Sequence, residues 1–324
     1  MDRVSIVIPN WNGSALLANL LADLQGQTFA IDRVIVVDNG STDDSVRVAN
    51  DGGAFVIQLT ENTGFAHAVN CGIQSSNTEW VAILNNDVSL AADWLAQILG
   101  KLTGTDYWFA AGKLLDAQSP GRVDGSFDAI CRGGCAWRCG NGRPDSQVWN
   151  KSRVIQFPPF TAAIFRSQVF DRVGLLDENF QSYLEDIDFG IRCAAAKLTG
   201  IYVPEAVAYH RGSATLGRWN PEVVRKIARN QVLLIAKHYP TKWILRYCWP
   251  IIVAQSLWGC VALRHGCLTA YLEGKLDGLR RFSATRGNSQ ADLPGIVQRS
   301  ENEILELQRA TGFDLYWKLY YALT

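Results

Sequence analysis

The alternation of short apolar runs with helical patterns over the first hundred residues constrains this chain more than any other feature. Four runs rich in Val and Ile have the nearly continuous apolar character of buried strands: Val4–Ile8, Val34–Val37, Phe55–Leu59 and Trp80–Leu84. Three helical patterns lie between them: Ser14–Gln25, Asp43–Asn50 and Gly64–Ser75. Strands joined by helices predict an α/β fold with a mostly parallel central sheet flanked by helices.

The pattern becomes irregular between Ala110 and Gln156, a stretch rich in Gly, Arg and Asp. A stretch of this length without periodicity predicts a long loop, and such loops are often functional. Its Cys131, Cys135 and Cys139 are evenly spaced, but the spacing is not a common zinc pattern and no fourth ligand is nearby. A surface loop with free thiols is therefore favoured over a metal site.

Regular structure returns after this stretch. We predict an ordered segment at Thr161–Phe170, a helix from about Leu184, and a strand that ends at Pro204. The sequence pattern changes near Trp219, and a basic amphipathic helix is predicted after it, at Arg225–His238. Earlier in the chain, a helix is also expected from about residue 90.

These patterns predict two structural units. The first is an α/β domain over residues 1–218, with one half at about 1–110 and the other at about 111–218. The second is a helical C-terminal extension over residues 219–324.

Charge and the N-terminus limit the class of protein. Lysine plus arginine equals aspartate plus glutamate at 31 each, so no net field attracts nucleic acid and no such partner is predicted.

The apolar run Val4–Ile8 is too short for the core of a signal peptide and is followed at once by Pro9. We therefore expect a cytoplasmic protein whose 8 cysteines stay reduced.

Polar side chains follow three of the predicted strands: Pro9–Asn12, Asp38–Ser41 and Asn85–Asp87. In open α/β sheets, ligands bind at the carboxyl ends of the strands. The chain has neither a G-x-G-x-x-G turn after its first strand nor a Walker loop. We therefore predict that a divalent cation, Mg²⁺ or Mn²⁺, neutralises a bound diphosphate, with Asp87 as the candidate ligand. Asp38 and Asp87 also suit ordinary turn and loop positions.

A second acidic cluster, Tyr183–Asp188, begins the helix predicted near Leu184. Carboxylates are favoured at a helix N-terminus by the helix dipole, and Asp188 with Arg192 fits a surface ion pair at i and i+4. Asp186 is different, because apolar and aromatic residues flank it. A partly enclosed carboxylate of this kind is a candidate general base.

His210 follows the strand that contains Ile201–Val203 and precedes the Ser213–Leu216 loop. A single histidine in this position is more often a hydrogen-bonded structural residue than a ligand. Because the chain has only 4 histidines, this one is also a candidate metal ligand.

Six motifs, in order, resemble those of the family-2 glycosyltransferases of the GT-A fold, and in particular their rhamnosyltransferase-like branch. The resemblance covers about residues 3–240, and its motifs are Val4–Gly13, Val36–Asp43, Glu61–Ala66 with Asn70–Ile73, Leu84–Asp87, Tyr183–Asp188 and Val203–His210. It implies a Rossmann-like half that binds a nucleotide sugar, at about 1–110, and an acceptor half at about 111–218.

The resemblance also assigns roles to individual residues. Donor binding falls to Pro9, Asn10, Asn12, Asp38, Asn62, Gly64, Asn85 and Asn86. Asp87 and His210 would hold the divalent cation, and Asp186 would be the catalytic base beside Glu185. Thr161, Ala162 and Ala163 would form an acceptor-side loop. One position departs from the metal-binding D-x-D motif of the family, because Asn85 replaces its first aspartate, as it also does in the rhamnosyltransferase-like branch.

The implied activity is an inverting transfer of a single sugar, rhamnose-like favoured, from a nucleotide-diphosphate donor to a hydroxyl of a glycan or lipid-linked acceptor. Single transfer is favoured because the Q-x-x-R-W motif of processive synthases is absent. The implied process is cell-wall or surface-polysaccharide biosynthesis. Two alternatives stay open: a nucleotidyltransferase acting on sugar phosphates, and a non-catalytic protein that binds nucleotide sugars.

The segment Tyr247–Leu263 is mostly apolar but is interrupted by polar residues, so it is marginal as a membrane span. Its tryptophans and flanking basic residues suit a helix lying in a membrane interface: Trp243, Trp249, Trp258, Lys237, Lys242, Arg246 and Arg264. We therefore expect peripheral attachment to the inner face of the cytoplasmic membrane, with a helical pair packed on the catalytic domain as the alternative.

Overall fold

A computed structural model describes residues 3–212, 219–287 and 292–324 of the chain. Its first part contains the predicted alternation: β1 (Val4–Asn10), α1 (Ser14–Gln25), β2 (Arg33–Asp38), α2 (Ser45–Asp51), β3 (Phe55–Gln58), α3 (Phe65–Gln74) and β4 (Trp80–Leu84). The predicted start of the next helix, at about residue 90, is wrong, because the helix begins at Trp94. A short strand, β5 (Val88–Leu90), occupies that position, and α4 (Trp94–Leu102) follows it.

The stretch predicted to be a long loop contains strands, so that prediction is wrong. The elements that follow α4 are β6 (Phe109–Asp116), β7 (Val123–Gly125), β8 (Asp128–Ile130), β9 (Ala136–Arg138), β10 (Arg153–Ile155), β11 (Ala162–Arg166), α5 (Gln168–Val173), α6 (Glu185–Ala195) and β12 (Gly200–His210). Most strands in this stretch have three residues, and glycines with positive φ turn the chain at Gly134, Gly140 and Gly142. Three residues are too few to show a strand period.

The sheet has the order β10-β12-β6-β11-β4-β1-β2-β3, with β5 paired to β12 and β7 paired to β6. Strands β4, β1, β2 and β3 are parallel to one another, as the sequence predicts. Strand β11 is antiparallel to both β4 and β6, while β6 and β12 are again parallel. The α/β fold is confirmed, with parallel pairing concentrated in the first half of the sheet.

Two predicted strands differ from expectation. Strand β3 forms the edge of the sheet rather than a buried strand, since Phe55 is 45% exposed and its ring is covered by Arg33. Strand β12 does not end at Pro204. The proline coincides with a register shift between Val203 and Val207, which accommodates its missing N–H, and the strand continues to His210.

The prediction that Cys131, Cys135 and Cys139 lie in a surface loop is wrong. All three are at most 1% exposed and belong to the main hydrophobic core, although their thiols are free as expected. Burial raises the pKa of each thiol, so the groups are neutral core side chains. Core packing therefore explains these cysteines without a metal.

The C-terminal part of the chain is helical, as predicted: α7 (Pro221–His238), α8 (Thr241–Arg246), α9 (Cys248–Arg264), α10 (Leu268–Thr285), α11 (Leu293–Thr311) and α12 (Leu315–Leu323). Helices α7 and α11 pack against α6 and β8 through one apolar cluster that includes Ile130, Ile187, Leu234 and Ile296. The proposed boundary between residues 218 and 219 stays a prediction, and the Ser213–Leu216 loop lies outside the described residues. Within the described ranges, no helix is long and apolar enough to cross a membrane.

Candidate active site

The carboxyl ends of β1, β2 and β4 meet at one edge of the sheet, and a pocket of about 340 Å³ opens there. We call it the donor pocket. The predicted site residues that line it are Pro9, Asn10, Asn62, Asn85, Asn86, Asp87, Thr161 and His210. The sheet explains this convergence, because parallel strands end at the same edge.

Other predicted donor residues support the rim of this pocket rather than line it. Asp38 is buried and accepts a hydrogen bond from the backbone N–H of Ser41 (3.0 Å). Asn12 adopts a positive φ, and its side-chain oxygen accepts from the N–H of Thr42 (2.8 Å). Gly64 also has a positive φ, and a Cβ there would approach Gln181 to 3.1 Å. Their direct contact with a donor stays a prediction.

Asp87 and His210, the predicted cation ligands, lie together in the donor pocket. Asp87 Oδ1 is 3.2 Å from His210 Nε2, and Asp124 Oδ2 is 2.7 Å from His210 Nδ1. Burial opposes the positive charge on the imidazole, but the two carboxylates outweigh it and raise the pKa of His210 to about 9. Asp124 fixes the orientation of the ring in the way that carboxylates support metal-bound histidines.

The residues around Asp87 fit a cation that is shared with a substrate. Within the described residues, no group of three or more His, Cys, Asp and Glu side chains could hold a metal by itself. Asn85 Oδ1 is buried beside Asp87 and has no hydrogen-bond partner in the described part of the chain. Mg²⁺ typically binds through one or two carboxylates together with substrate phosphates, so this donor set is adequate.

A second pocket of about 380 Å³ adjoins the donor pocket, and we call it the carboxylate pocket. It contains Asp128, Glu185 and Asp186. The two pockets share the residues Phe65, Asn85, Arg138, Thr161, Ser182 and Tyr183. A group bound in one is therefore directly next to a group bound in the other. Of the predicted acceptor loop, Thr161 lines both pockets, whereas Ala162 and Ala163 are buried in β11.

The electrostatics of the carboxylate pocket distinguish Glu185 from Asp186. Burial and the neighbouring Asp186 raise the pKa of Glu185 well above its usual range, and Glu185 Oε2 has no hydrogen-bond partner within the described ranges. Burial also raises the pKa of Asp186, but Arg138 and the N–H of Ile187, which donates to Asp186 Oδ1 at 2.8 Å, counteract this effect. Asp186 Oδ1 therefore has a hydrogen-bond donor that Glu185 Oε2 lacks within the described residues.

Asp188 is not part of a surface ion pair, and that expectation is wrong. Its side chain is fully buried, and Oδ2 contacts Arg192 at 2.9 Å. Its other oxygen, Oδ1, lies 2.7 Å from both Lys237 Nζ and His238 Nε2 of α7. The partners outweigh the effect of burial and hold the pKa of Asp188 far below its usual range. Asp188 therefore joins α6 to α7.

The segment before α6 adopts a costly backbone conformation. Gln181, Tyr183 and Leu184 all have positive φ, which costs about 1–2 kcal/mol for each non-glycine residue. The side-chain amide of Asn230 on α7 donates to the carbonyls of Phe180, Ser182 and Tyr183 at 2.7–2.9 Å. Asn230 therefore holds the segment that positions Glu185 and Asp186.

Sequence reasoning did not assign Asp124, Asp128 or Arg138 to the site, and it placed Trp258 at a membrane interface rather than in a pocket. Arg138 Nη2 donates to Thr161 Oγ1 (3.0 Å), and its guanidinium also lies near Asp124 (3.5 Å) and Asp128 (3.9 Å). The richness of residues 110–156 in Arg and Asp was the available signal, but without strand boundaries it could not select among them.

Comparison with known proteins agrees with the fold. The Glycosyl transferase family 2 model matches residues 5–174, which is more than half of the chain. The chain belongs to this family, and the GT-A-type fold is confirmed.

Two curated relatives from Mycobacterium tuberculosis are similar to the chain. A pre-mycofactocin glycosyltransferase is 28% identical over 221 residues, which cover 67% of this chain and 44% of the relative. The chain thus spans less than half the length of that relative. An N-acetylglucosaminyl-diphospho-decaprenol L-rhamnosyltransferase is 24% identical over 278 residues, which cover 76% of this chain and 90% of the relative.

A solved structure also resembles this one. The mannosyltransferase PcManGT from Pyrobaculum calidifontis, in complex with GDP-Man and Mn²⁺, superposes with a TM-score of 0.54 at 17% identity. The match covers 99% of this chain and 86% of the other. At this identity the likeness establishes the fold.

Proposed function

We propose that this protein is an inverting glycosyltransferase that moves one sugar from a nucleotide-diphosphate donor to an acceptor hydroxyl. The observation that carries the proposal is the adjacency of the donor and carboxylate pockets. One contains Asp87 and His210 at the strand ends, and the other contains Asp186. Binding two reactants side by side removes much of the entropic cost of their reaction.

In the proposed reaction, Asp186 accepts the proton of the acceptor hydroxyl while that oxygen attacks the anomeric carbon. The bond from this carbon to the diphosphate breaks on the opposite face, and its electron pair leaves with the nucleoside diphosphate. Attack opposite to the leaving group inverts the anomeric configuration. Asp186 suits this role because burial raises its pKa, which makes the carboxylate a stronger base, while Arg138 and the N–H of Ile187 counteract that shift.

A divalent cation, Mg²⁺ or Mn²⁺, would be held by Asp87 and His210, with Asn85 alongside. Such a cation supplies Lewis-acid stabilisation of the negative charge on the departing diphosphate. Asp124 keeps His210 oriented toward Asp87 through its hydrogen bond to Nδ1. The Mn²⁺ bound with GDP-Man in the mannosyltransferase structure supports this assignment.

The favoured donor is a nucleotide-diphosphate rhamnose or a related sugar, and the favoured acceptor is a glycan or lipid-linked sugar used in cell-wall or surface-polysaccharide biosynthesis. The rhamnosyltransferase relative, whose name includes a decaprenol-linked acceptor, supports both choices. The motif from Glu61 to Ile73, which resembles the same branch, is the feature of this chain that agrees with it.

The test is incubation of the full chain with Mg²⁺ or Mn²⁺, a panel of nucleotide sugars and a lipid-linked sugar acceptor. We expect release of the free nucleoside diphosphate and a product of inverted anomeric configuration, seen by NMR. The Asp186→Asn variant is the matched control and should bind the donor but transfer little. Pyrophosphate release would instead indicate a nucleotidyltransferase, and donor binding with no product would indicate a non-catalytic protein.

We also propose that the C-terminal helices attach the protein to an anionic membrane surface, on the cytoplasmic side. Large apolar side chains are exposed on α8, α9 and α10, and we call them the apolar face: Leu245, Trp249, Ile252, Leu263, Leu272, Leu276 and Leu279. Exposed cations border this face at Lys242, Arg246 and Arg264. Apolar side chains ringed by basic ones suit anionic lipid headgroups.

Flotation with vesicles of phosphatidylcholine and phosphatidylglycerol tests this attachment. At low salt the full chain should float with anionic vesicles and bind less to neutral ones. Ile252→Glu with Leu276→Glu should abolish flotation, because both substitutions put charge on the apolar face. Equal flotation of this variant, or none by the wild type, would refute the proposal.

A further inference from the structure

We propose that the carboxylate pocket binds a neutral, hydroxylated sugar ring, with Asp128 hydrogen-bonded to its hydroxyls and Trp258 packed against the ring. This ring would be the part of the acceptor that receives the transferred sugar, so its meaning for the reaction rests on the proposed function. The binding itself requires no donor and no catalysis. It can therefore be tested separately.

The first observation is that two buried acids of this pocket have unused hydrogen-bonding capacity. Asp128 and Glu185 are each 5% exposed. In the described part of the chain, neither Asp128 Oδ2 nor Glu185 Oε2 has a hydrogen-bond partner. An unsatisfied buried polar group costs about 1–3 kcal/mol, and a ligand hydroxyl would remove this cost.

The charge state of these acids favours hydroxyls as ligands. Burial and the nearby Asp186 raise the pKa of Asp128 well above its usual range, although Arg138 opposes the shift. A protonated carboxyl group both donates and accepts hydrogen bonds, as a sugar hydroxyl does. Arg138 already lies 3.9 Å from Asp128 Oδ1 and supplies positive charge to the cluster. A cationic ligand is therefore less favoured than a neutral one.

The second observation is an aromatic side chain in the wall of the same pocket. Trp258 of α9 lines the pocket and is half-buried. Its ring stacks on Tyr271 of α10, with the centroids 5.7 Å apart and an angle of 22° between the planes. This stacking fixes the orientation of the indole. An indole combines a large apolar surface with low conformational freedom, which suits the C–H face of a pyranose ring.

The pocket wall also includes a side-chain amide, that of Gln231, which a hydrogen bond holds in place. Gln231 of α7 lines the pocket, and its Oε1 accepts a hydrogen bond from Lys275 Nζ at 2.7 Å. Burial lowers the pKa of Lys275 to about 8. The pocket volume of about 380 Å³ lies within the range of roughly 300–1,000 Å³ that small-molecule sites occupy. Helices α7 and α9 thus help to form the proposed sugar subsite.

Saturation-transfer-difference NMR on the full chain, without donor or metal, tests the binding. The probes are the methyl pyranosides of glucose, mannose, galactose, rhamnose and N-acetylglucosamine, with glucosamine as the cationic comparison. We expect at least one neutral pyranoside to bind. Trp258→Ala should abolish its signal, and Asp128→Ala, which removes the hydrogen-bonding group, should weaken its affinity about five- to tenfold, the loss of one hydrogen bond of about 1 kcal/mol.

Trp108→Ala is the matched control, because Trp108 is also half-buried but lines neither pocket. It should retain pyranoside binding, and thermal melts should show which variants are folded. Unchanged binding in folded Trp258→Ala and Asp128→Ala, binding of glucosamine alone, or no binding by the wild type would each overturn the proposal. Donor binding, measured by thermal shift with a nucleotide sugar and Mg²⁺, would still report on the proposed function independently.

Discussion

Replacement of Asp188 by asparagine should destabilise the protein strongly while changing little in either pocket. The Asp188 carboxylate is fully buried and contacts Arg192, Lys237 and His238 at 2.7–3.0 Å. Removing one partner of a buried ion pair typically costs about 3–5 kcal/mol, because the other charge stays buried without compensation. Globular domains have only about 5–15 kcal/mol of total stability, so this loss would be a large share.

The expected effect on melting is also large. For domains of roughly 150–250 residues, each 1 kcal/mol shifts Tm by about 2–4 °C, so Asp188→Asn should lower Tm by at least about 6 °C. Far-UV circular dichroism measures this shift. The control is Asp51→Asn, which breaks an exposed pair with Arg47 and should change stability by less than about 0.5 kcal/mol. An Asp188→Asn variant that melts within about 1 °C of this control would refute the reasoning.

The same contact predicts a pH dependence. The folded-state pKa of Asp188 lies below its ordinary value of about 4, so its stabilising contribution is complete above that value and is lost as the pH falls further. The Tm difference between wild type and Asp188→Asn should therefore be constant above about pH 5 and shrink below about pH 4. A difference that grows on acidification would contradict the assigned direction.

Three further substitutions test the site. Asp186→Asn should lower turnover about a hundred- to ten-thousand-fold with Tm kept, and Glu185→Gln should affect acceptor KM more than turnover; the reverse ranking would move the base to Glu185. Asp87→Asn should abolish divalent-ion-dependent transfer and the Mn²⁺-dependent thermal shift without unfolding the protein. If this variant keeps wild-type turnover in chelator-treated buffer, the metal role is wrong. Asn230→Ala should lower kcat more than it raises donor KM, because the strained segment loses its three hydrogen bonds; unchanged kinetics would refute this role.

Much of the first half of the α/β domain could be predicted from the sequence. The apolar runs from Val4 and from Trp80 identify β1 and β4, because strands buried on both faces are nearly continuous in apolar character. Parallel strands that end at one edge bring Asn10, the last residue of β1, close to Asp87, which follows β4. Local patterns suffice where each element is long enough to show its period.

The second half of the α/β domain could not be predicted in the same way. Strands β8 and β9 have three residues each, too few for a period, so nothing local indicates that Asp128 and Arg138 enter the same pocket. The buried cysteines of this stretch were misjudged for the same reason. Their environment is provided by helices far along the chain, such as α9 with Val253 and Ala254.

By itself, the sequence determined the order of strands and helices in the first half, the family motifs, and the acids that follow the strands, because these depend on neighbouring residues. Only the tertiary structure decided which partners each acid contacts and how far it is buried. Asp188 and Arg192 look like a surface pair until α7 covers them with Lys237 and His238. Trp258 enters the acid-lined pocket only because α9 packs there. Burial and charge pairing set these properties, and both arise from residues distant in sequence.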